Sequence, residues 1–248
     1  MITLRHTPRG FLRNSRWLAR ERGYRHTVDA CCDFIVDLLH AYLLDKPDLL
    51  SLHCGGVVFP QGLVLFPNTY RSGKSTLAIK LASMGLRIFS DDVIPYSRSE
   101  RKGIALGILP RLRLPLPEVD DPQLFTFIDH QRGPASNRFL YCNLNRRQLV
   151  PIGERASVVG IVLLNRSPTE PPSIRTADKG DALKQVIQRN FTRRTPAPEI
   201  LDGLFSLIAE TPCHTLTYDT PSQAADLLCA MFGEPETDAA PPRSRRYA

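Results

Sequence analysis

Apolar residues first return at helical spacing between Thr27 and Leu44, where Val28, Cys31, Cys32, Ile35, Leu38, Leu39 and Tyr42 follow a 3.6-residue repeat. The spacing predicts a helix over 27–44. From residue 51 the period changes, and short β-rich runs at 56–59, 63–66 and 87–90 appear, the last two separated by a helical stretch at 74–84. Strand, helix, strand with short connections predicts a parallel βαβ unit. The unbroken apolar run 158–164 reads as a strand buried on both faces. Helices are expected over 181–188, 199–209 and 224–232, the last two announced by Thr195, Pro196 and by Thr220, Pro221. Residues 97–157 are rich in Pro and Arg and carry little periodicity.

The two ends differ from this body. Residues 1–26 read as Arg-rich and turn-prone around Pro8 and Gly10, with Phe11, Trp17 and Leu18 suited to packing on something. Past Phe232 the composition turns to Pro, Glu, Asp, Ala and Arg, which predicts a disordered tail over 233–248. The expected organisation is a basic extension with one helix over 1–50, an α/β domain over 51–232, and the tail.

Composition narrows the class. With 248 residues, 42% hydrophobic and 23% charged, the chain is long and apolar enough for a full buried core, and is neither disordered nor collagenous. The net charge of +7 is concentrated, because residues 1–25 hold seven Arg against one Glu and the rest is nearly balanced. Six cysteines without a CxxC pair point to reduced thiols rather than a zinc site. No apolar run reaches the length of a membrane span, and no apolar stretch follows the basic head as in a signal peptide. A cytoplasmic protein with no membrane partner is the expectation. Nucleic-acid binding would rest on the Arg head alone, without a recognised module, and is set aside.

Chemistry concentrates in residues 62–92. The segment Asn68, Thr69, Tyr70, Arg71, Ser72, Gly73, Lys74, Ser75, Thr76 matches the phosphate-binding pattern GxxxxGK[ST] except at its first glycine, where Asn68 stands. Asn tolerates left-handed backbone angles better than most residues, so the loop can still close. Gly73 allows the tight turn that aims backbone N–H groups at phosphate oxygens. Lys74 supplies a point charge for the β and γ phosphates, and Ser75 offers a hydroxyl to Mg²⁺. The helix that starts there also turns its positive end toward the anion. Asp91 and Asp92 follow the strand at 87–90 and belong at the same sheet edge if that strand runs parallel to the one entering the loop. One carboxylate can hold Mg²⁺ and the other accept a proton; the spacing does not assign them. His53 precedes the first strand of the group. Arg111 and Arg113 alternate in an extended, Pro-flanked segment, so they face the same way, either to clamp an anion or as a solvated edge.

The run from His53 through Asp92 resembles the kinase domain of HPr kinase/phosphorylase, whose P-loop fold is shared with phosphoenolpyruvate carboxykinase. The resemblance rests on a histidine before one strand, a glycine-led strand into the loop and an Asp pair closing the next strand. His53 and Lys74 are 21 positions apart, Lys74 and Asp91 17. It implies an α/β fold with a mixed sheet flanked by helices, and an ATP- and Mg²⁺-dependent serine kinase acting on a protein or peptide acceptor. In that reading Asp91 is the general base, Asp92 and Ser75 hold Mg²⁺, Lys74 bridges the β and γ phosphates, and His53 contacts the transferred phosphate or tunes Asp91. The short N-terminal extension makes the chain look more like the smaller relatives of that family, some of which phosphorylate serines of precursor peptides. A nucleotide-binding regulatory module without transfer, a small-molecule kinase and a homo-oligomeric state remain open at this level.

Overall fold

The computed structural model describes residues 1–67, 72–116, 118–192 and 195–235. It opens with β1 (Thr3–Thr7), β2 (Gly10–Asn14) and β3 (Arg22–Tyr24), paired antiparallel in that order, with helix α1 (Thr27–Leu44) packed against them. The head expected to be turn-prone is therefore a small sheet with a helix on it. Its inward anchor is Arg13 on β2, whose Nε lies 2.8 Å from Asp37 Oδ2 and whose Nη1 lies 2.9 Å from Asp33 Oδ2, both acids on α1. The Tyr24 hydroxyl donates to Asp33 at 2.6 Å. A strand that turns an arginine inward leaves no apolar alternation to read in the sequence.

The body starts with β4 (Leu49–Leu52), β5 (Gly55–Phe59) and β6 (Gly62–Phe66), then α2 (Lys74–Ser83), β7 (Arg87–Ser90), β8 (Ile94–Ser97) and β9 (Lys102–Ile104). The Pro- and Arg-rich stretch resolves into β10 (Arg111–Arg113), α3 (Pro122–His130), β11 (Arg132–Ala135) and β12 (Phe139–Cys142). There follow β13 (Arg155–Arg166), β14 (Ser173–Thr176), α4 (Lys179–Gln188), α5 (Ala197–Glu210), β15 (Cys213–Tyr218) and α6 (Pro221–Phe232). The predicted helices are all present within a few residues. The α6 start is set by a capping box in which Thr220 and Gln223 satisfy each other's backbone N–H groups.

A mixed sheet runs β4-β8-β9-β13-β6-β5-β7, with β15 on β13 and β14 on β15. β5 pairs antiparallel with both β6 and β7, so those two run parallel with β5 between them. The predicted βαβ unit is realised with one strand inserted. Side chains alternate between two cores. Val64 and Phe66 of β6 join Leu77 and Ile79 of α2, Leu124 of α3 and Leu228 of α6 on one face. Leu63 and Leu65 join Val186 of α4 and Leu204 of α5 on the other. Coverage of both faces explains the continuous apolar runs, and each Leu or Val so buried contributes roughly 1.5–3 kcal/mol. β10, β12 and β11 form a separate small sheet in that order. None of the described helices is long and apolar enough to cross a membrane.

Candidate active site

Strand register brings the chemistry-bearing residues to one sheet edge. Gly55, the first residue of β5, pairs with Phe66, the last of β6, and Gly56 pairs with Ser90, the last of β7. The ends of β6 and β7 thus flank the start of β5. Ser72 and Gly73 at the entry to α2, the Asp pair after β7 and His53 before β5 share that edge. Together with Arg111, Arg113 and Tyr218 they line one cavity of about 770 Å³.

Of the predicted loop, Asn68, Thr69, Tyr70 and Arg71 lie outside the described residues. Ser72, Gly73, Lys74, Ser75 and Thr76 all line the cavity. Gly73 caps α2 at φ 86°, a left-handed conformation that a residue with a Cβ adopts at a cost. The N-terminus of α2, whose first-turn N–H groups have no partner within the helix itself, opens at this point. Lys74 Nζ donates to Ser72 Oγ at 3.4 Å, and the Tyr218 hydroxyl, from the end of β15, donates to the Ser72 carbonyl at 3.1 Å. Burial lowers the Lys74 pKa, opposed by the charge of Asp92.

The two aspartates differ in environment. Asp91 is buried, and its Oδ2 accepts the backbone N–H of Arg111 at 2.8 Å. The Ser75 side chain also hydrogen-bonds to it. Burial, helped by the neighbouring charge of Asp92, pushes its pKa up to about 7. Asp92 is half exposed, with Oδ1 3.1 Å from His53 Nδ1. His53 therefore contacts the second aspartate, not the first as one reading of the sequence expected. Burial lowers the His53 pKa against the pull of Asp92, which favours a neutral ring at neutral pH. The ring is set by a tilted contact with Phe191, and the His53 backbone N–H donates to the Arg189 carbonyl at 2.6 Å.

The donor set suits a hard divalent cation: a serine hydroxyl and two adjacent carboxylates whose mutual repulsion a cation would relieve. Among the described residues no group of three or more His, Cys, Asp or Glu converges. Mg²⁺ held by one or two carboxylates and substrate phosphates does not require one.

Several lining residues escaped the sequence reading. Tyr218 closes β15, which runs parallel to β13, and its place just before the cap of α6 was the available signal. Arg138 and Phe139 enter through the β10–β12 register, which sets Phe139 opposite Arg113, and nothing local announces that pairing. Arg111 Nη1 reaches Cys32 Sγ, so α1 of the N-terminal unit touches the cavity wall.

No protein-family model matches the chain, and no curated protein matches it. Among solved structures it is similar to the HPr(Ser) kinase/phosphatase from Coxiella burnetii, at 17% sequence identity, over 73% of this chain and 95% of that one, with a TM-score of 0.38.

Proposed function

We propose that the protein is an ATP- and Mg²⁺-dependent kinase that phosphorylates a hydroxyl, with a serine of a protein or peptide as the acceptor. The observation that carries the reading is the placement of Asp91: a buried carboxylate, held by the Arg111 N–H, in the same cavity as the Gly73-Lys74-Ser75 start of α2, with burial raising its pKa. A carboxylate poised near neutrality is suited to take a proton from a hydroxyl, and the N-terminal turn of a helix beside a lysine is suited to hold the donor's phosphates.

The roles follow from these environments. Lys74 and the α2 N-terminal N–H groups hold and orient the phosphate chain. Ser75 and Asp92 would hold Mg²⁺, which when bound neutralises charge on the phosphate oxygens. His53 donates to Asp92 and keeps that carboxylate turned into the cavity. Asp91, held by the Arg111 N–H, receives the acceptor's proton. Catalysis of this kind is mainly positioning and electrostatics.

Labelled ATP and Mg²⁺ with cell lysate and serine peptides test the reading. A phosphoserine product is expected, lost in Asp91→Asn while nucleotide binding persists. Nucleotide binding with no transfer to any acceptor would instead fit a regulatory module, and a product confined to small molecules would reassign the acceptor.

A further inference from the structure

Resting on the kinase reading, we infer that Arg111, Arg113 and Arg138, gathered around Phe139, form an anion subsite that selects an acceptor carrying a carboxylate or phosphate close to its hydroxyl. The guanidinium carbons of these residues lie 4.4, 5.6 and 5.0 Å from the centroid of the one ring. All four residues line the cavity that holds Lys74 and the Asp pair.

Three like charges on one ring repel, and at Arg111 burial and both other guanidiniums outweigh the favourable influence of Tyr141 and Asp29. A folded protein keeps such an arrangement most readily where an anion offsets it. Stacking uses the flat face of a guanidinium, and its in-plane N–H groups are the ones suited to bond an oxyanion. The scaffold is also fixed. β10 turns Arg111 and Arg113 to one side while Leu112 is buried on the other, and its pairing with β12 brings Phe139 opposite Arg113.

The position separates this subsite from the donor side. Asp91 is contacted both by the Ser75 side chain of α2 and by the backbone N–H of Arg111 on β10. With the donor phosphates at the α2 N-terminus, an acceptor whose hydroxyl gives its proton to Asp91 sits in the same cavity as the β10 arginines, which contact Asp91 through the Arg111 backbone. A group next to that hydroxyl can then meet the arginines. An acidic residue beside a serine and a phosphate on a small alcohol present the same chemistry.

Inorganic phosphate is the first probe, titrated by calorimetry into the full chain, into Lys74→Met and into Arg113→Gln/Arg138→Gln, both of whose arginines are exposed on the surface. Phosphate binding that survives Lys74→Met and weakens about tenfold or more in the double arginine variant is expected. Failure of phosphate to bind the unaltered protein, or loss in Lys74→Met with retention in the arginine variant, would overturn the subsite. A parallel nucleotide titration reads the kinase proposal separately: absence of ATP binding to the unaltered protein defeats that proposal while the phosphate arms still report on the arginines. A weakened nucleotide affinity in the arginine variant with unchanged phosphate affinity would assign these residues to the donor and refute the inference. Displacement of phosphate by a serine peptide flanked with aspartates, or by glycerol 3-phosphate, identifies the acceptor type and supports the subsite; displacement by neither refutes it.

Discussion

Replacing Asp91 with Asn should make the fold more stable at neutral and alkaline pH, even though the residue is proposed as the base. In the unfolded chain this carboxyl loses its proton near 3.8, and in the folded protein near 7. Below pH 4 both states are protonated and the group contributes nothing. Between pH 4 and 7 the folded state keeps a proton that the unfolded state has released, so stability falls as pH rises, by about 1.4 kcal/mol per unit. Above pH 7 the penalty levels off on the order of 4 kcal/mol. Asn carries no charge, and its side-chain oxygen can still accept the Arg111 N–H. The variant should therefore match the parent near pH 4 and exceed it increasingly up to pH 7. For a domain of this size each kcal/mol shifts Tm by roughly 2–4 °C, so a gain on the order of 10 °C is expected at pH 8. Urea and thermal unfolding of both proteins, in metal-free buffer at pH 4.5, 6 and 8, measure it. The difference between the two cancels the titrations of groups that do not interact with Asp91. A difference that stays flat with pH, or a variant less stable than the parent at pH 8, would refute the account of Asp91 as a carboxylate held against its charge.

Other substitutions probe the frame. Lys80 on α2 lies 2.7 Å from Asp121 Oδ2, both side chains nearly buried, and Asp121 also caps α3 and accepts from Ser222 of α6. Lys80→Met leaves that carboxylate buried without its cation and should cost about 3–5 kcal/mol in urea unfolding. Gly73→Ala forces a Cβ into a left-handed turn, 3.1 Å from the Tyr218 hydroxyl, and should cost about 1–2 kcal/mol while weakening nucleotide binding, read as a smaller ATP-induced rise in Tm. Arg13→Ala uncouples β2 from α1 by stranding the buried Asp37, and limited proteolysis should cut the first 26 residues well before the body.

Much of the scaffold was legible because its signals are local. The α6 start at Thr220 and the entry into α2 are written in a few adjacent residues, as are the apolar runs of β6 and β13. The N-terminal sheet was not legible, since its inward residue is an arginine matched to acids twenty or more positions away. The region around β10, β11 and β12 was equally opaque, being three- and four-residue strands joined by register rather than by periodicity. Within the candidate site, Lys74, Ser75, Asp91, Asp92 and His53 stood out by residue type and spacing. That His53 lies against Asp92 was not contained in the spacing, because the separation of strand ends in space depends on which strand is inserted between which.

The sequence by itself determined which residues can do chemistry and the order in which they leave the strands. Only the tertiary structure decided that the two aspartates are unlike. Asp91 is buried and accepts a backbone N–H from β10, while Asp92 stays half exposed beside a histidine. Desolvation is a property of what surrounds a group, and the groups that surround Asp91 come from segments distant in the chain. The same reason applies to the arginines, which become a cluster only through the pairing of β10 with β12.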